Sequence, residues 1–138
     1  MEQAFEVAKS AVVVTDTGWN IHALKGFPGP FMHYVTDWFS PQDFLNLMSD
    51  KADRSITFMD VLAYKDGDKM KIFKTIKEGT ILTEPAGEGI PIDQIVTFRA
   101  DGKSIALCNS EEISSFDETE DISVWTKFGK WFNEQHPN

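Results

Sequence analysis

The spacing of apolar and polar positions changes several times along the chain. Residues 2–9 place Ala4, Phe5 and Ala8 on one side at helical spacing, and the run from Ala11 to Val14 then takes on the β-branched character of a strand. Thr15-Asp16-Thr17-Gly18 is a turn-forming sequence and is expected to end that strand. Gly26, Pro28, Gly29 and Pro30 then fall close together, which excludes a regular helix or central strand and predicts an ordered loop between Ile21 and Pro30. Helical spacing returns over Phe31–Phe39, where Phe31, Tyr34, Val35 and Trp38 share a face. Ser40-Pro41 restarts a second helix through Leu47, with Ser40 as N-cap and Pro41 at the first helical position.

Two extended runs, ITFMDVLAY and KMKIFKTI, flank Lys65-Asp66-Gly67-Asp68, and an Asp-Gly pair between such runs predicts a β-hairpin. A second Gly/Pro-rich loop, Glu84 to Pro91, leads into a strand expected at Gln94–Phe98. From Glu111 to Asp121 there are six acids and no bases; Thr119 is then expected to cap an amphipathic helix burying Ile122, Trp125, Phe128, Gly129 and Phe132. No internal repeat or long linker interrupts this order. It predicts one domain over residues 1–138 of mixed α/β class (α+β), a mixed twisted sheet with an antiparallel hairpin, flanked by helices.

Charge narrows the partners. With 22 acids against 13 bases the net charge is −9, which repels nucleic acid and anionic membranes. A nucleotide ligand would need a divalent cation to bridge it to so acidic a protein. No run approaches the roughly 18 apolar residues of a membrane span, and the opening MEQAFEVAKS has neither basic leader nor apolar signal core, so a cytoplasmic location is expected. The single cysteine, Cys108, suits a reducing compartment and reads as a small, partly buried side chain. His22, His33 and His136 lack metal-ligand spacing and read as surface histidines. Gly102-Lys103-Ser104 resembles the end of a phosphate loop, but the first glycine of that motif would fall at Thr97, and the segment reads as a turn.

The stretch Val12 to Pro30 carries the most chemistry. Asp16-Thr17-Gly18 followed by Ala23-Leu24-Lys25-Gly26-Phe27-Pro28-Gly29-Pro30 resembles, in order and spacing, the inosine triphosphate pyrophosphatase family, whose Glu-Asp-Thr/Ser-Gly precedes Ala-Leu-x-Gly-x-Pro-Gly. The resemblance continues through Asp53-Arg54-Ser55, Glu84-Pro85, Gly87, Gly89 and Asp93, and covers about Ala4 to Phe132. It implies hydrolysis of nucleoside triphosphates to monophosphate and pyrophosphate with Mg²⁺, Asp16 serving as metal ligand and catalytic base. It also implies substrate contacts from Thr17, Gly18, Gly89, Ile92 and Asp93, with Asp93 near the sugar or base, and a homodimer in which Phe31–Phe39 would be the contact surface.

Departures from the family pattern qualify that implication. Thr15 stands where the family has an acid, Ala86 where it has arginine, and Pro91-Ile92 where it has Gly-Tyr. The Ser-His-Arg element that reads the base falls at Ser114-Ser115-Phe116 or Ser123-Val124-Trp125, without His or Arg. The family's N-terminal Gly-Asn-x-x-Lys phosphate loop and the metal-binding Glu after it are expected to be absent from this domain. Each such loss costs on the order of 2–4 kcal/mol of transition-state stabilisation. Two alternatives therefore stand beside the enzyme reading: a degenerate family member acting as an interaction module, and an incomplete enzyme that needs a partner chain.

Overall fold

The computed structural model describes residues 10–119 and 123–137. The expected opening helix at residues 2–9 and Ile122 lie outside that range. Among the described residues the chain is a mixed α/β protein built on a five-stranded sheet ordered β2-β1-β3-β4-β5. Its strands are β1 (Val12–Ile21), β2 (Pro28–Gly29), β3 (Ser55–Asp66), β4 (Lys69–Ile81) and β5 (Val96–Thr97). The helices are α1 (Met32–Trp38), α2 (Pro41–Leu47), α3 (Ser110–Thr119) and α4 (Val124–Gln135). All four strand pairings are antiparallel.

The hairpin forms where Asp-Gly predicts it. Asp66 pairs with Lys69 across the two-residue turn Gly67-Asp68, and Gly67 takes the positive φ that its position requires. The end of β1 is different from expectation. It does not stop at Thr15 but runs through Asp16-Thr17-Gly18 to Ile21, in unbroken register with β3 from Val12↔Lys65 to Ile21↔Ile56. Long-range pairing and the β-preference of valine, threonine and tryptophan here outweigh the local turn preference of Asp-Thr-Gly.

The Gly/Pro loop after β1 is ordered, as expected. Ile21 N–H donates to the Phe27 carbonyl at 2.9 Å and Gly26 N–H to the Ile21 carbonyl at 3.0 Å. Gly29 pairs with Trp19 at positive φ, where an added Cβ would lie 3.1 Å from the Gly26 oxygen. Ser40 caps α2 in a reciprocal box: its hydroxyl accepts from Asp43 N–H at 3.2 Å, and its own N–H donates to the Asp43 carboxylate at 2.8 Å. The strand expected over Gln94–Phe98 shortens to Val96–Thr97, because Pro91–Gln94 winds into a 3₁₀ turn. The cap of the last helix is Ser123, whose hydroxyl accepts from Thr126 N–H, while Thr119 is the last residue of α3.

Side-chain alternation gives the sheet two unlike faces. Ile21 and Ile56 pack with Phe44, Leu45, Met48, Ile81, Ile92, Ile95 and Val96 in the main core. Farther along the same face, Tyr64 and Phe73 meet Phe128 and Trp131 of α4 at ring separations of 5.5–6.1 Å. The opposite face exposes Val14, Met70, Ile72 and Ile76. On β4 this inverts the usual arrangement, since Thr75 and Lys77 are buried and the isoleucines between and beside them face out. The helical face expected over Phe31–Phe39 divides similarly: Val35 is buried, whereas Phe31, Tyr34 and Trp38 are exposed, Trp38 by 73%.

Arg54 ties β3 to the end of β4. Its guanidinium donates from Nε to the Ile81 carbonyl at 2.7 Å and from Nη2 to the Leu82 carbonyl, in a partly buried setting. Arg54→Leu should therefore cost about 1–3 kcal/mol, read as a lower urea midpoint with an unchanged slope, because two carbonyls lose their donor.

Candidate active site

Asp16 projects from the open face of the sheet. A cavity of about 180 Å³ is lined there by Asp16, Thr17, Gly18, Asn20, Met59 and Val61, and is closed at one side by Gly29 and Pro30. The pairings Asp16↔Val61 and Gly18↔Met59 put those four residues on one face, and the β1–β2 pairing brings the Gly-Pro turn alongside. An adjoining cavity of about 300 Å³ is shared by Asp16, Thr17 and Pro30 with Met32, His33, Thr36 and Asp37 of α1. The Asp-Thr-Gly strand and the Gly-Pro turn thus meet in space.

Asp93 lies elsewhere. It lines a cavity of about 170 Å³ with Trp19, Phe58, Lys77, Phe98, Ile105 and Ile113. Trp19 pairs with Phe58 and Phe58 with Lys77, so this cavity opens on the covered face, between the main core and α4. Asp16 and Asp93 thus line cavities on opposite faces, because Trp19 lies three positions beyond Asp16 along a regular strand. The aromatic walls are closely set: Trp19 lies 4.9 Å from Phe58 and stacks on Phe98 at 6.0 Å with 15° between planes. Gly79 admits Phe98, since a Cβ there would fall 3.0 Å from the Phe98 ring.

The remaining expected substrate contacts divide. Ile92 is 2% exposed, and the 3₁₀ turn at Pro91–Gln94 places it in the main core with Ile95 and Val96. Gly89 has positive φ and its carbonyl accepts from the Gln94 side chain at 3.0 Å, and it lines none of the three cavities. In the Ser123-Val124-Trp125 element, Ser123 caps α4, Val124 is fully buried and Trp125 is exposed. The Asp101-Gly102-Lys103 segment is a turn, and Lys103 is held 2.9 Å from Glu112 at the start of α3.

Asp37, His33 and Lys77 were not singled out by motif. The first two were still readable, because the polar set His33, Thr36 and Asp37 falls at helical spacing opposite the exposed aromatic face of α1. Lys77 gave no signal, since a lysine within an alternating KTIKE run reads as solvent-facing.

Asp16 and Asp37 are the carboxylates that could together hold a divalent cation. Mg²⁺ retains waters and takes one or two protein carboxylates together with substrate phosphates, and Asp16 and Asp37 line one polar cavity. No cluster of three or more His, Cys, Asp or Glu side chains suited to a metal occurs among the described residues.

Asp93 is half-buried, and desolvation raises its pKa above the ordinary 3.8. With the folded-state value raised, the protein holds the proton more tightly when folded. Stability is then greatest below the unfolded value and is lost as pH rises through the folded one. Asp93→Asn imitates the neutral carboxyl, so the variant should melt higher than wild type at pH 7. That gain should shrink towards zero below about pH 4, where both forms are neutral, as thermal unfolding across that range would show.

The arrangement of sheet, helices and Gly-Pro turn is that of a known α/β fold. The solved Staphylococcus aureus Ham1 protein superposes with a TM-score of 0.77 over 97% of this chain and 72% of that one, at 24% identity. The chain belongs to the Ham1 family, whose model matches residues 1–119. It is similar to the dITP/XTP pyrophosphatase of Saccharolobus solfataricus, 31% identical over 110 residues that make up 79% of this chain and 57% of that protein. The dITP/XTP pyrophosphatase of Pyrobaculum aerophilum is 33% identical over 122 residues, 83% of this chain and 64% of its own length. This chain therefore spans about three fifths of the length of such relatives.

Proposed function

We propose that this chain is a nucleoside triphosphate pyrophosphatase, cleaving a nucleoside triphosphate into monophosphate and pyrophosphate with Mg²⁺. The observation that carries the reading is the pair of adjoining cavities in which the Asp16-Thr17-Gly18 strand meets the Gly29-Pro30 turn and, beside it, the Asp37 carboxylate. The names of the relatives, dITP/XTP pyrophosphatases, supply the substrate class.

In this reading Asp16 orients a water and takes its proton as the oxygen attacks the α-phosphorus. A new P–O bond forms, the α–β bridge breaks, and pyrophosphate leaves. Mg²⁺, which Asp16 and Asp37 would hold, would offset phosphate charge and acidify the water. β2 pairs with β1 only at Trp19 and Asn20, so among the described residues the outer edge of β1 has no strand partner from Val12 to Gly18. The triphosphate rounds that edge at Thr17, two residues from Trp19, with the Thr17 hydroxyl as donor. The base occupies the aromatic cavity beside Asp93.

A second reading has its own observation. Exposed Val14, Met70, Ile72 and Ile76 surround the Asp16 side of the sheet, and a large apolar face marks an interaction surface. Another polypeptide covering that face would complete the site, or would make the chain an interaction module. A homodimer through Phe31, Tyr34 and Trp38 of α1 is compatible with either reading, since these aromatics are exposed.

Mg²⁺-dependent pyrophosphate release from ITP, XTP, dUTP and the standard triphosphates, compared with Asp16→Asn, tests the proposal. Removing the base should lower the rate by about 10²–10⁴-fold without unfolding the protein. Release that is absent from the folded wild type, or unchanged in the variant, moves the assignment to the second reading.

A further inference from the structure

Lys74 stands in the same cross-strand row as Asp16. Asp16 pairs with Val61 and Val61 with Lys74, and residues directly opposite one another in an antiparallel ladder project to the same face. The row therefore runs from the Asp16 carboxylate on β1, across the short side chain of Val61, to an ammonium on β4. Lys74 is exposed between Ile72 and Ile76, which are exposed on that face too, while its neighbour Phe73 turns the other way to meet Phe128 of α4. None of the ion pairs among the described residues engages Lys74.

Reach and charge suit an anion. Two strand spacings of about 4.8 Å put the backbones of Asp16 and Lys74 roughly 10 Å apart, and the long flexible stem of lysine lets its ammonium lean back over Val61. The residues lining the two Asp16 cavities include two carboxylates, Asp16 and Asp37, and neither lysine nor arginine. A triphosphate that rounds the β1 edge at Thr17 with its α-phosphorus at Asp16 points its remaining phosphates along the row, towards β4. As the α–β bridge breaks, negative charge gathers on the departing pyrophosphate, and a cation at that end counts for more in the transition state than in the ground state. A lysine on an edge strand also deters edge-to-edge pairing, a role that Lys71 fills equally well. Lys71 is exposed on the opposite face of β4, 5.8 Å from the Phe73 ring centre, and so provides a charge-matched comparison.

We propose that Lys74 is a substrate-binding residue of the Asp16 site, its ammonium holding the β- and γ-phosphates of a nucleoside triphosphate and then the pyrophosphate that leaves. The assignment rests on the hydrolytic reading above and adds the group that receives the leaving pyrophosphate. It concerns the phosphates alone and not the base.

The test is calorimetric titration of the full chain with inorganic tripolyphosphate in Mg²⁺, alongside pyrophosphate release from ITP. Wild type, Lys74→Gln, Lys74→Arg and Lys71→Gln are compared, with thermal melting to confirm folding. Tripolyphosphate has no base, so its affinity reports the phosphate contacts. Lys74→Gln should weaken it roughly tenfold, the scale of one charge-assisted hydrogen bond, and lower kcat for release by a similar factor. Lys74→Arg keeps a cation and should stay within about threefold of wild type. Lys71→Gln loses the same charge on the other face and should stay within about twofold. Unchanged affinity in folded Lys74→Gln, or an equal loss in Lys71→Gln, would overturn the assignment and leave hydrolysis at Asp16 standing. Wild type that releases pyrophosphate without binding tripolyphosphate overturns it in the same way. If folded wild type releases none yet binds tripolyphosphate through Lys74, the hydrolytic reading falls and the phosphate site stands.

Discussion

The central constraint is the unbroken antiparallel register that locks β1 to β3 and β3 to β4. Ten pairs join the first two strands and twelve the second two. That register decides which side chains share a face, and so places Asp16 with Met59 and Val61 while placing Trp19 with Phe58 and Lys77. Each cavity is a short length of the same ladder closed by one further segment: the Gly-Pro turn and α1 on one face, the Asp93 turn and Phe98 on the other. Chemistry at either place depends on main-chain pairing more than on the loops that carry the motif.

Parts of this were legible before any coordinates. The hairpin followed from Asp66-Gly67, the α2 start from Ser40-Pro41, and the mixed α/β class from the order of periods, because each is fixed by local backbone preference. The course of β1 through Asp16-Thr17-Gly18 was not legible, since a distant strand overrode a local turn signal. The faces taken by Asp16 and Trp19 were not legible either, because face assignment depends on where regular pairing begins and ends.

β4 is the clearest conflict between pattern and structure. Its apolar alternates, Met70, Ile72 and Ile76, would be read as the buried set, yet they are exposed while Phe73, Thr75 and Lys77 turn inward. An apolar stripe facing water beside a buried lysine is not a low-energy solution for an isolated sheet.

The unbroken course of β1 also bears on how such a protein can change over evolutionary time. Point substitutions can retune either cavity separately, because each uses its own alternate positions. An insertion or deletion of one residue within Val12–Gly18 would not be local: downstream of it every side chain would exchange faces, sending Trp19 towards the Asp16 side and withdrawing a wall from the Asp93 cavity. The two cavities are therefore inherited as a linked pair, free to drift in side chain but bound to a common strand length.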